Sequence, residues 1–346
     1  MTRSVTPDVP ALTGTHVNGA LPRREPDFGD VHAAAERLND QARRTPLLTD
    51  TPLDSQCSRR VLLKLETLQH TGSFKFRGAY NRLVQIEMAQ RPAGVVAFSS
   101  GNHAQGIAAA AARLNIPATV VMPSDAPRLK LQNTRALGAE VIEYDRRKEN
   151  REDIAARIAA QRGSVLVPSF DDPDVIAGQG TAGIELAEQA AAASIELDDV
   201  LVPCSGGGLV AGIALALHEL SPRTRVWCVE PGEFNDHQLS LRAGQRVRIQ
   251  PSRPSICDAL LAPEPGEITF EINRRLLAGG LSVTDDEVRQ AIGYAARELK
   301  LVLEPGGAVA LAALLARPLP IAGRSVAIVL SGANIDPAML AGILAP

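Results

Sequence analysis

Aromatic residues make up only 3% of the 346-residue chain, with one Trp, three Tyr and seven Phe. So sparse a supply argues against a base-stacking surface for nucleic acid. An excess of positive charge is missing too. There are 36 Lys and Arg against 39 Asp and Glu, a formal net charge of −3. No global positive field exists to hold nucleic acid or an anionic membrane. No stretch reaches the roughly 18 uninterrupted apolar residues of a membrane-spanning helix. Cysteine is scarce, and Cys57, Cys204, Cys228 and Cys257 include no CxxC or other zinc spacing. Reduced thiols in the cytoplasm are the expectation. Met1–Asp27 has no apolar signal core. Residues 1–29, with Pro7, Pro10, Pro22 and Pro26, read as a flexible arm. No internal repeat of fixed period is found.

What is abundant is small: 28 glycines and the alanine runs Ala108–Ala112 and Ala190–Ala193. Such usage points to tight helix–sheet packing and to loops whose backbone approaches something closely. With 45% hydrophobic and 22% charged residues the chain is globular. Its length exceeds the ~250–300 residues at which single cores stop growing, so two lobes are expected. Short apolar runs such as Val95–Phe98, Ala118–Met122, Glu140–Tyr144, Val200–Pro203, Arg225–Val229 and Ser325–Leu330 read as strands. They alternate with helical patterns at Val31–Arg43, Ser73–Gln90, Gly106–Leu114, Arg128–Leu137, Arg151–Arg162, Gly180–Ala193, Leu209–Leu220, Asp285–Leu299 and Ala308–Ala316. Apolar strands alternating with helices imply an α/β fold of doubly wound parallel sheets.

Three loops could carry chemistry. Cys204-Ser205-Gly206-Gly207-Gly208-Leu209 joins a strand to a helix, where converging N–H groups and the helix end suit a phosphate. A plain glycine-rich turn is the simpler reading. Gly206, Gly208 and Ala211 also satisfy G-x-G-x-x-A, with Glu230 at the end of the next strand. On this segment alone an NAD-dependent dehydrogenase is a rival. Ser99-Ser100-Gly101-Asn102-His103-Ala104-Gln105-Gly106 also precedes a helix, and its hydroxyl, amide and N–H groups suit a carboxylate; a polar N-cap turn is the alternative. In Thr71-Gly72-Ser73-Phe74-Lys75-Phe76-Arg77-Gly78-Ala79, Lys75 stands between two phenylalanines. Burial would lower its pKa and make the amine a nucleophile and base, whereas a snorkelling lysine would do neither.

Together these loops resemble the fold-type II pyridoxal-phosphate enzymes, in the serine/threonine dehydratase and serine racemase branch. The resemblance rests on Ser73–Ala79, Ser99–Gly106, Ala177-Gly178-Gln179-Gly180-Thr181, Ser205–Leu209, Val229-Glu230-Pro231, Leu303-Glu304-Pro305 and Leu330-Ser331-Gly332-Ala333-Asn334. These occur in family order over roughly residues 30–340. The resemblance implies a two-lobed, tryptophan synthase beta-like fold. The large cofactor-binding domain would be 30–95 and 167–346, and the small mobile domain 96–166. It also decides against the dehydrogenase, because the glycine loop would hold a cofactor phosphate.

Residue by residue, the resemblance implies that Lys75 forms the Schiff base with pyridoxal 5'-phosphate and, once freed, removes the substrate α-proton. Phe74 would pack on the cofactor ring, Asn102 bond its phenolic oxygen, and Ser205, Gly206, Gly207, Gly208 and Leu209 hold its phosphate. Ser205 stands where the branch commonly has a fourth glycine. Ser331 would partner the pyridine nitrogen, with Glu304 among the cofactor-binding positions. A hydroxyl does not force that nitrogen to be protonated, so the electron sink is weaker and elimination close to α-proton loss fits. Ser99, Ser100, Gly101, Asn102 and His103 would hold the substrate α-carboxylate. Ser100 would face the opposite side of the substrate, which permits racemisation.

The implied activity is a dehydratase, or ammonia-lyase, turning a threonine- or serine-type 3-hydroxy amino acid into a 2-oxo acid and ammonia. A 3-hydroxyaspartate dehydratase or a serine/aspartate-type racemase is the alternative on the same scaffold. Arg151 aligns with an arginine near the substrate mouth, where a bidentate guanidinium would suit a second carboxylate. Glu230, Asp236 and the Phe234 carbonyl match an oxygen-rich cation site for Mg2+, Ca2+ or K+. A homodimer is expected, with no nucleic-acid or membrane partner. Only Gly332–Pro346 follow Ser331, so the C-terminal regulatory domain of biosynthetic threonine dehydratases is not expected.

Overall fold

The computed structural model describes residues 24–99, 101–126, 128–316 and 323–345. Most of the expected arm lies outside them. Its end does not: Asp27 and Asp30 form a capping box, and the first helix, Phe28–Leu38, starts three residues before its apolar periodicity does.

Ten strands form two sheets among the described residues. They are β1 (Leu47–Leu48), β2 (Arg60–Leu65), β3 (Val95–Phe98), β4 (Ala118–Pro123), β5 (Glu140–Tyr144), β6 (Val165–Leu166), β7 (Asp199–Pro203), β8 (Arg225–Pro231), β9 (Leu277–Val283) and β10 (Ser325–Leu330). One sheet has the order β1-β2-β10-β7-β8-β9 and the other β5-β4-β3-β6. Every pairing of these strands is parallel except β1 with β2. Parallel strands need crossovers, and helices cover both faces. In the larger sheet Leu63, Leu201, Ile328 and Leu330 face one apolar cluster while Leu62, Val200, Val202 and Val329 face another. In the smaller sheet Ala97 and Val120 pack beneath the alanine-rich helix Asn102–Leu114, and Val96 and Val121 under Arg151–Arg162.

Helix Pro173–Ala192 begins seven residues before the sequence pattern predicts. Asp172 accepts the amides of Asp174 and Val175, and Pro173 occupies the first helical position. Several elements were not expected, among them helices Pro52–Cys57, Asp236–Ala243, Glu267–Leu276 and Pro337–Leu344 and strand β9. The carboxyl ends of β3, β7 and β10 open toward the cleft between the sheets, the usual ligand position in an open α/β sheet.

Candidate functional site

The helix after β3 starts at Asn102, not at Gly106, so Asn102 and His103 belong to its first turn. Its N-cap is Gly101, which has no side chain to cap the free amides. Helix Gly208–Leu220, after β7, has Gly207 as its N-cap and again no side-chain cap. The N–H groups of a first helical turn lack partners along the helix. Both uncapped ends border one cleft, which encloses about 520 Å³. Two separate anions, or one ligand with two anionic groups, would satisfy them.

Gly207 has φ +97, and a Cβ there would lie 2.6 Å from His237 Nε2. Only glycine fits this turn without strain. At Gly206 a Cβ would strike the Phe170 ring at 2.3 Å. The loop therefore turns backbone, not side chain, to the cleft.

Lys75 begins helix Lys75–Val84 on the opposite wall. Its Nζ donates to the Ser169 carbonyl at 2.6 Å and lies 5.2 Å from the centre of the Phe74 ring. Burial lowers its pKa to about 8. His103 is 2% exposed, with Nε2 3.2 Å from the Val167 carbonyl. Burial, then the positive charge of Lys75, lowers it to about 3, so the imidazole is neutral. A backbone pairing seats the lysine: Phe74 N donates to Ser331 O at 3.1 Å, and Ser73 bridges Gly332. The loop after β10 thus fixes Phe74 and Ser331 beside each other.

The cleft brings together Phe74, Lys75, Ser99, Gly101, Asn102, His103, Arg151, the Ser205–Leu209 loop and Ser331. Ser100 lies outside the described residues. Glu304 stands behind the wall: Asn102 Nδ2 donates to its Oε1 at 2.5 Å, and Asn102 Oδ1 accepts from Asn334 at 2.7 Å. Burial raises Glu304 to about 7. It therefore positions Asn102 and does not itself face the cleft. Arg151 is half exposed, with its guanidinium 5.3 Å from the Phe98 ring.

Glu230, Phe234 and Asp236 do not line the cleft. Glu230 is fully buried and accepts the His237 and Gln238 amides at 3.0 and 2.8 Å. That carboxylate is buried away from the cleft, where no ribose could reach it, which removes the structural basis of the dinucleotide reading. Asp236 is equally buried, with neither carboxylate oxygen hydrogen-bonded. Burial, before any neighbour, raises both carboxyl groups.

Three cleft residues carried no local signal. Lys130 is 6% exposed and pairs with Asp258 at 2.5 Å, bridging the helix Arg128–Ala136 and the loop before Glu267. Phe170 and Ser169 sit against the glycine loop and Lys75, respectively. Each gains its place from tertiary contacts only.

The fold and cleft are those of an α/β protein in which two uncapped helix ends and a buried amine border one cavity. A family description, "pyridoxal-phosphate dependent enzyme", matches residues 38–332. The chain belongs to this family, and its architecture is that of the fold-type II members. It is 45% identical over 317 residues to an L-threo-3-hydroxyaspartate ammonia-lyase of Pseudomonas sp, spanning 92% of this chain and 98% of that one. The crystal structure of a T.th. threonine deaminase superposes with a TM-score of 0.85 at 43% identity, over 90% of this chain and 99% of the other. A maize serine racemase structure gives a TM-score of 0.87 at 34% identity, over 92% and 97%. No helix among the described residues is long and apolar enough to cross a membrane.

Proposed function

We propose that the chain is an ammonia-lyase for 3-hydroxyaspartate: the β-hydroxyl leaves as water, a water then hydrolyses the released imine, and the net products are ammonia and the four-carbon 2-oxo diacid. The observation that carries this reading is Arg151, an arginine on the wall of the cleft that holds Lys75. Threonine and serine have no second carboxylate for it. The likeness to the Pseudomonas ammonia-lyase supports the same choice.

Pyridoxal phosphate, when bound, supplies the electron sink for the carbanion at the substrate α-carbon. The residues present fit it. The uncapped end of Gly208–Leu220, with Ser205–Leu209, suits the phosphate, and the hydroxyl of Ser331 suits the pyridine nitrogen without charging it. The uncapped end of Asn102–Leu114, with Ser99, Gly101 and His103, would hold the substrate α-carboxylate. Asn102, held between Glu304 and Asn334, keeps one amide N–H for the phenolic oxygen. Lys75 takes the α-proton on its neutral amine. Neutral His103 adds no charge beside it, and Arg151 holds the β-carboxylate. The segment 96–166 would close over the substrate. Asp236, buried with two free carboxylate oxygens, fits a hard cation such as Mg2+, Ca2+ or K+ beside Glu230 and Phe234. A cytoplasmic homodimer completes the proposal, and sedimentation would test the dimer.

The purified protein is expected to be yellow. Borohydride should bleach the colour and leave the cofactor mass on the peptide containing Lys75. A colourless protein that takes up no pyridoxal phosphate would overturn the reading. On a panel of threonine, serine and both 3-hydroxyaspartate diastereomers, 2-oxo acid formation should be fastest with a 3-hydroxyaspartate. Inverted enantiomer without 2-oxo acid would favour the racemase alternative, with Ser100 as the opposite-face proton donor.

Arg151→Ala should lower kcat/KM for 3-hydroxyaspartate by roughly 10²-fold, the loss expected for a charge-assisted pair worth about 2–3 kcal/mol. Activity on threonine should change little. Equal loss on both substrates would argue against a β-carboxylate contact.

A further inference from the structure

The sequence shows no zinc spacing, yet the fold assembles a cluster with thiol, imidazole and carboxylate donors. Cys204, Glu230 and His237 come from the end of β7, the end of β8 and the first turn of helix Asp236–Ala243. Their ligand atoms all lie within 4.8 Å of one another, and all three residues are buried. His237 is fully buried and its Nδ1 has no hydrogen-bond partner. That nitrogen lies 3.9 Å from Glu230 Oε1 and 3.6 Å from Asp236 Oδ2.

The other face of the ring is already held. Its Nε2 is 3.0 Å from the side-chain amide of Asn273, whose Oδ1 is buried without a partner. Turning that amide over gives Nε2–H an acceptor and leaves the Nδ1 lone pair aimed at the carboxylates. A ligating imidazole is usually held this way, its second nitrogen donating to a fixed oxygen. A sulfur, a ring nitrogen and a carboxylate oxygen are the donors of a borderline-soft divalent ion. This donor set differs from the all-oxygen set of Glu230, Phe234 and Asp236, with which it shares only Glu230.

We propose that Cys204 Sγ, His237 Nδ1 and a Glu230 oxygen bind a thiophilic divalent cation of the zinc or cobalt class directly beneath the glycine loop. Binding forms the metal–sulfur bond and releases the Cys204 proton to solvent. Cys204 immediately precedes Ser205, and its amide donates to Val229 O at 2.8 Å, so the ion would tie the phosphate-side loop to β8. Mg2+ and Ca2+, which prefer oxygen, would not engage the thiolate.

The test uses the full-length holoenzyme and is independent of its substrate. Cobalt(II) should bind at one equivalent per chain with a thiolate-to-metal charge-transfer band, and zinc should displace it. Excess Mg2+ should give no such band. Cys204→Ser should abolish the band and weaken zinc binding by more than about tenfold, the lower end of effects seen even for outer-shell changes. Cys57→Ser, remote from the cluster, should leave both unchanged. Should Cys204→Ser fail to fold, zinc-edge X-ray absorption on the wild type gives the answer, with one sulfur at about 2.3 Å. A band that persists in Cys204→Ser, or a zinc shell without sulfur, would overturn the proposal while leaving the lyase reading untouched.

Discussion

Lys75→Ala is expected to cut kcat/KM for elimination by about 10⁴-fold, the upper range for loss of a positioned general base. The substitution removes a single amine that no neighbour can replace: His103, lowered to about 3, is far too weak a base, and Lys130 is engaged by Asp258. Lys75→Arg should fail equally, because a guanidinium stays charged at any working pH. Loss of fold does not explain the outcome. The Lys75 pKa falls to about 8 from 10.5, so the unfolded chain binds more protons than the native one between these values. Stability therefore rises with pH across that window, and below it the buried ammonium opposes folding. Removing it should leave the melting temperature of the apoprotein at pH 7 unchanged or higher. The same value sets the pH dependence. As a base the amine must be neutral, so kcat should rise with pH through about 8 and then level. A Lys75→Ala enzyme within tenfold of wild type would refute the assignment. Partial rescue by a small added amine would confirm that only the amine is missing.

Much of the cleft lining was legible because it lies in contiguous loops just before helices. Ser73–Ala79, Ser99–Gly106 and Ser205–Leu209 each carry their residue types within a few positions. Strands Glu140–Tyr144 and Ser325–Leu330 and helix Arg151–Arg162 have the bounds that their periodicity predicts. Elsewhere tertiary contact overrides local preference. The sequence pattern starts a helix only at Gly180, yet Ala177–Gly180 lies inside it. A Cβ on Gly178 would meet Arg77 O and Gly78 Cα at 2.7 Å, and one on Gly180 would meet Gly212 O at the same distance. Those glycines permit helices to touch, which accounts for part of the chain's high glycine content. Helix Glu267–Leu276 is capped by Asp171, which accepts the Ile268 amide at 2.9 Å from 97 positions away. No local window could register that cap. The Cys204, Glu230 and His237 cluster was hidden for the same reason.

The second large effect is structural and sits two residues from the amine. Arg77 is 1% exposed and forks onto two carboxylates. Nε and Nη2 donate to Glu66 at 2.8 and 2.9 Å, while Nη1 and Nη2 donate to Glu185 at 2.7 and 2.9 Å. Lys64 completes the cluster, donating to Glu185 at 2.6 Å. Two cations thus balance two anions where β2, helix Lys75–Val84 and helix Pro173–Ala192 meet. Arg77→Ala leaves Lys64 facing both carboxylates, an uncompensated buried negative charge. The expected cost is about 3–5 kcal/mol, the range for breaking a buried pair. Arg77→Lys keeps the charge but not the fork and should recover only part. Adding Glu66→Gln to Arg77→Ala restores neutrality, so the double variant should be more stable than the single one. The pH dependence separates this from lost packing. Burial opposes the Glu185 charge, but Arg77 and Lys64 outweigh it and hold its pKa below the ordinary value. A depressed carboxylate stabilises the fold above its unfolded pKa and loses that contribution as pH falls through the folded one. Without Arg77 there is less to lose, so urea unfolding should show the gap between wild type and Arg77→Ala closing on acidification. A gap constant from neutral to acidic pH would mean that Arg77 acts through its volume, not its charge.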